Sequence, residues 1–105
     1  MFEYTVSIDF TMETKNEDFK MDGIKVATYN FDLGLQINEI IELQDVSILG
    51  LDKTSHICKV TKKEKIIRHH ENGDDFIINV FVEIADKDDY EKIRKILKEN
   101  RPDLF

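Results

Sequence analysis

The run ENGDDFIINVFVEIA, residues 71–85, decides the fold. It opens on Asn72-Gly73, a pair that readily takes the positive φ angles of a tight hairpin turn. From Phe76 to Ala85 apolar side chains fall on both faces, with Phe76, Ile78, Val80, Val82 and Ile84 on one and Ile77 and Phe81 on the other. Side chains alternate across a strand, so this segment predicts the central strand of a sheet. A two-residue turn at Asn72-Gly73 sets Glu71 opposite Asp74. Facing like charges are unfavourable, which makes a longer loop the alternative.

Upstream of the turn, His56–Thr61 and Lys65–His70 read as two further strands joined by a charged turn. Downstream, Asp86 is placed to cap a helix, and Asp88 and Asp89 suit the positive end of its dipole. Tyr90, Ile93, Ile96 and Leu97 form its apolar stripe, Lys92, Arg94, Lys95 and Lys98 lie towards its C-terminal half, and Arg101-Pro102 stops it.

At the other end of the chain, Phe2, Tyr4, Val6, Ile8, Phe10 and Met12 alternate with polar residues. One face of Phe2–Met12 is therefore core and the other wet, a pattern that points to antiparallel pairing. Residues 13–23 read as a polar connection, with Phe19 and Met21 able to fold back onto the core. Ile24–Leu35 is a second strand whose apolar phase slips by one residue, which places a β-bulge near Val26–Ala27. Residues 37–43 fit a helical spacing through Ile37, Ile40 and Ile41 and a strand spacing through Ile37, Ile41 and Leu43. Their brevity and β-branching favour the strand. Val46–Leu51 is a short apolar run before a turn at residues 52–55. The expected fold is α+β: one domain over residues 1–105, a mainly antiparallel sheet or small β-barrel of five to seven strands, and one C-terminal helix.

A 105-residue chain buries one core, and 41% apolar with 35% charged residues is the balance of a folded domain. Cys58 is the single cysteine, so no internal disulfide framework exists and the reducing cytoplasm is the expected compartment. No stretch resembles a signal peptide or a membrane-spanning run. Charge is unevenly spread. Residues 1–52 carry eleven acids against three lysines, residues 53–70 six bases against Glu64, and residues 71–105 ten acids against six bases, for a net −7. Such a field repels polyanions and attracts partners of basic character.

Four groups of residues carry chemistry. His69, His70, Asp74 and Asp75 flank the hairpin turn and include good ligands for divalent metals. Adjacent strand residues point to opposite faces, however, so His69 and His70 do not converge on one ion, and a polar hairpin tip explains them as well. His56 and Cys58 share a strand face; activated, they would form a nucleophile or half a zinc site, whereas buried cysteine usually acts as a small hydrophobe. Asp9, Asp32 and Glu83 interrupt strands but read as solvated residues. The basic stretch Lys59, Lys62, Lys63, Lys65 and Arg68 lacks interleaved aromatic residues for stacking bases, and the acidic remainder opposes a phosphate backbone. With Leu104 and Phe105, these basic residues are candidates for contact with a partner.

The sequence therefore favours a non-enzymatic, acidic protein-binding domain without metal or other cofactor, of the kind that inhibitors, immunity-type proteins or small subunits of phage or bacterial assemblies represent. Long strands leave edges that tend to be paired, so a homo-oligomer is expected. The alternatives are a small enzyme or ligand-binding barrel built on His56 and Cys58 or on the His69-His70 hairpin, and, third, nucleic-acid binding through Lys53–Arg68.

Overall fold

The computed structural model describes residues 1–9, 23–51 and 54–104. Five strands are present among them: β1 (Phe2–Ile8), β2 (Ile24–Tyr29), β3 (Ile40–Leu43), β4 (His56–His70) and β5 (Gly73–Ile84). One helix, α1 (Lys87–Asn100), and a 3-10 turn (Pro102–Leu104) follow. The sheet has the order β2-β1-β5-β4-β3 and curves into a half-barrel.

β5 lies at the centre, as its two apolar faces predict. Its neighbours correct the expectation of a wholly antiparallel sheet, because β1 runs parallel to β5 while the other three pairs are antiparallel. The reason lies in β1. Thr5 and Ser7, which alternation assigns to a wet face, are only 3% and 5% exposed. Burial on both faces is the environment of a parallel pair, and small hydroxyl residues tolerate it where larger polar ones do not. Residues 10–12, the expected end of this strand, and the connection through residue 22 lie outside the described residues.

The bulge expected at Val26–Ala27 is present: Val6 faces Ala27 and Ser7 faces Lys25, which leaves Val26 as the extra residue. β2 ends at Tyr29 rather than Leu35. Asp32 Oδ1 accepts the Gly34 N–H at 2.7 Å, and Gly34 has a φ of 70°, so a side-chain-closed turn takes the chain out of the sheet there. Residues 30–39 then form a strap from one edge of the sheet to the other. Leu35 anchors it midway: its N–H donates to the Tyr4 hydroxyl at 3.3 Å, and its carbonyl accepts from Lys63 Nζ at 3.3 Å. The strap ends in β3, a strand as the β-branched composition of residues 37–43 favours.

β4 is one 15-residue strand where two were expected. Its register shifts between Val60 and Lys62, and Thr61 at the bulge donates its hydroxyl to the Phe81 carbonyl at 3.2 Å. The bulge reverses which parity faces the core. Below it His56, Cys58 and Val60 point inwards; above it Lys63, Lys65 and Ile67 stand opposite Val80, Ile78 and Phe76 on the same face. This reversal is what makes the segment look interrupted in sequence.

The hairpin turn comes one residue earlier than Asn72-Gly73 suggests. His70 pairs with Gly73, His69 with Asp74 and Arg68 with Asp75, so Glu71 and Asn72 form the turn. Bases now face acids, and the repulsion between Glu71 and Asp74 does not arise.

α1 begins as expected, with Asp86 accepting the Asp89 N–H at 3.0 Å. Ile93 and Leu97 seat it on a core of Tyr4, Val6, Ile8, Ile48, Cys58, Val60, Val80, Val82 and Ile84. Tyr90 packs against the rim of that core. Among the described residues, no helix is long and apolar enough to cross a membrane.

Candidate protein-interaction edge

The strand lengths determine what the sheet leaves open. Fourteen helical residues span about 21 Å, whereas the fifteen residues of β4 extend for about 45 Å, close to the longest dimension of the molecule. α1 and the strap therefore cover only the lower part of the concave face. At the hairpin end the same face continues through Phe2, Phe76 and Ile67, which stand side by side across β1, β5 and β4. Phe76 is 47% and Ile67 59% exposed. Phe2 divides two shallow depressions. One, of about 190 Å³, is lined by Lys65, Ile67, Phe76 and Ile78; the other, of about 480 Å³, by Tyr29 and Phe31, whose rings meet edge to face at 5.7 Å.

The edge of the sheet is open at the same place. β3 pairs with β4 only from His56 to Lys59, and two further backbone hydrogen bonds join the Asn38 N–H and Glu39 carbonyl to Val60. From Thr61 to His70, β4 has β5 on one side and, among the described residues, no strand on the other. The outline is a step, with β3 projecting below and a recess above.

The predicted basic residues divide along this step. Lys59 faces Ile40 on one side and Glu83 on the other, inside the sheet rather than on the open edge. Lys62 lies 3.8 Å from Glu64, with its ammonium 5.2 Å from the centre of the Phe81 ring. Lys63 is committed to the strap. Lys65 and Arg68 form no ion pair among the described residues, and they bracket Ile66 and Ile67 along the recess. Leu104 lies in the 3-10 turn, and Phe105 falls outside the described residues.

The hairpin residues are brought together in pairs. His69 Nδ1 is 2.9 Å from Asp74 Oδ1, and His70 Nε2 is 2.8 Å from Asp75 Oδ2, on opposite faces of the hairpin. The N-terminal amine lies 3.6 Å from Asp75 Oδ1. The hydrogen bond with His70, and secondarily the two nearby positive charges, hold the Asp75 carboxyl below its ordinary range. No cluster of three or more metal-ligating side chains occurs among the described residues.

His56 and Cys58 share the inner face of β4, but both are fully buried. Burial, and then the nearby Asp89 charge, pushes the Cys58 thiol up to about 11. It is a neutral thiol at physiological pH, without the exposure or the thiolate character of a nucleophile. Asp9 follows β1 beside Val82, Asp32 closes the turn in the strap, and Glu83 stands opposite Lys59.

Parity places Phe2 and Phe76 on the core face, and Phe2 does pack against the rim of the core, but parity cannot report that Phe76 is left half exposed beyond it. The signal lay in lengths: a fourteen-residue helix cannot roof a hairpin of this reach. No family model, curated protein or solved structure matches the chain.

Proposed function

We propose that this is a non-enzymatic protein-binding domain that accepts an extended segment of another polypeptide along the open edge of β4. The observation that carries the reading is the recess from Thr61 to His70. Among the described residues it offers an edge with no strand paired to it, two cations without ion pairs, and the exposed side chains of Ile67 and Phe76 with Phe2 beside them. Backbone hydrogen bonds of an added strand supply affinity, and side chains on its two faces supply specificity. Lysine on an edge also discourages indiscriminate strand pairing, so the same residues favour a selected partner over aggregation. The acidic remainder of the surface adds long-range attraction to partners of basic character.

The test is capture of partners by the tagged protein after nuclease treatment, followed by amide hydrogen exchange on the complex. Strand addition makes exchange at amides of residues 61–70 slower in the complex than in the dissociated chain. A stoichiometric partner that leaves those amides unprotected would overturn this reading.

A further inference from the structure

The strand that projects below the step carries the complement of the recess above it. β3 and the residue before it read Glu39-Ile40-Ile41-Glu42, and the recess reads Lys65-Ile66-Ile67-Arg68. The two tetrads match in three respects. Acid meets base at both ends and isoleucine meets isoleucine at both centres. The faces also agree: Ile41 shares the core face with Cys58, its neighbour in β4, as Ile67 does with Phe76, while Ile40 and Ile66 lie on the opposite face. Glu39, two residues before Ile41, shares the face of Lys65, and Glu42 shares that of Arg68. Ile40 is 61% exposed on a strand that ends the sheet.

Resting on the reading of this edge as a strand acceptor, we infer that its occupant is β3 of a second copy of the chain. A two-fold rotation about an axis normal to the sheet sets the two β4 strands antiparallel. Because β3 runs antiparallel to its own β4, it then runs parallel to the β4 of the other copy. The order acid-apolar-apolar-acid is the same read in either direction, so the parallel pairing keeps every match. Each copy gives its β3 and receives its partner's, so the contact is made twice and leaves no stepped edge. The recess from Lys62 to His70 spans about 30 Å and a four-residue strand takes about 13 Å, so the partner's β3 fits within it, end to end with the chain's own β3 beside His56–Lys59. The product is one continuous sheet across two chains. Its apolar strips of Phe2, Phe76 and Ile67 lie on one side of that sheet.

Charge exchange tests this directly. The wild-type chain is expected to be a dimer by light scattering at micromolar concentration, with amides of both 39–43 and 65–68 slow to exchange. The variant Glu39→Lys/Glu42→Lys and the variant Lys65→Glu/Arg68→Glu each place like charges across both contacts. Each should weaken the dimer at least about a hundredfold, and an equimolar mixture of the two should restore it. A wild-type dimer indifferent to both exchanges, or a mixture that stays monomeric, overturns the inference. So does a monomeric wild type. In that case a synthetic peptide of residues 37–44 is titrated in as a probe. Slowed exchange at residues 61–70 would leave the strand-accepting edge standing without the dimer, and unchanged exchange would remove both.

Discussion

Nδ1 of His56 on β4 lies 3.5 Å from Oδ2 of Asp89 in the first turn of α1, and both side chains are buried. The pair ties the helix to the sheet with a polar as well as an apolar contact. Removing one member takes a buried polar partner from the other, at a cost of about 1–3 kcal/mol. Asp89→Ala should therefore lower the unfolding free energy in urea by about 2 kcal/mol. The double variant His56→Leu/Asp89→Leu should lose clearly less than the sum of its singles, since the contact the two share is lost only once.

Cys58 supplies a pH dependence with a definite sign. Its thiol titrates near 9.0 when unfolded and at about 11 when native. Between those values the native state retains a proton that the unfolded chain has lost, so its contribution to stability falls as pH rises. The full contribution is about 2–3 kcal/mol, present below pH 9 and gone above the native value. Denaturation at pH 7.5 and pH 10.5, compared with Cys58→Ala, isolates it: the variant should lose less stability across that interval. The same burial predicts that thiol reagents label the native protein only at the rate at which it unfolds.

At the hairpin tip the sign is opposite. Asp75 titrates below its ordinary value because of His70, so its favourable contact is present at neutral pH and is lost as pH falls through the native value. His70→Ala should move the Asp75 carboxyl up towards the ordinary aspartate range in an NMR titration, whereas His69→Ala, on the other face of the hairpin, should leave it where it is.

The strap hangs on Tyr4. Replacing it by Phe removes the acceptor of the Leu35 N–H and should cost about 1 kcal/mol. The readout that separates this from a simple core effect is hydrogen exchange, which should accelerate at Leu35 while amides of β5 in the same sheet keep their protection relative to global unfolding.

The sequence made the central strand, the bulge at Val26 and the capped helix legible because each depends on side-chain period or local capping chemistry. It did not reveal that β1 is parallel to β5, because Thr5 and Ser7 are written like the wet face of an antiparallel strand and yet are buried. It divided β4 in two at Thr61, because a bulge and a turn both break alternation. The basic residues were recognised, but not which of them lie on an edge. That depends on where β3 stops, a tertiary fact with no local signature. His56 and Cys58 were paired correctly on one face, while Asp89, read as a dipole residue, lay unsuspected beneath the helix.

The bulge at Thr61 has an evolutionary corollary. Because it resets the inward parity, the residues above it are not bound to the pattern that holds the core below. Lengthening β4 and β5 by one residue each at the turn extends the hairpin without moving any side chain beneath, so the reach of the recess can drift freely between descendants. Straightening the strand around Thr61 is another matter: with the residue kept and the bulge lost, Lys62, Glu64, Ile66 and Arg68 would all turn inwards together. Lineages of this domain should therefore vary in hairpin length and, wherever the extra residue is kept, keep the bulge with it.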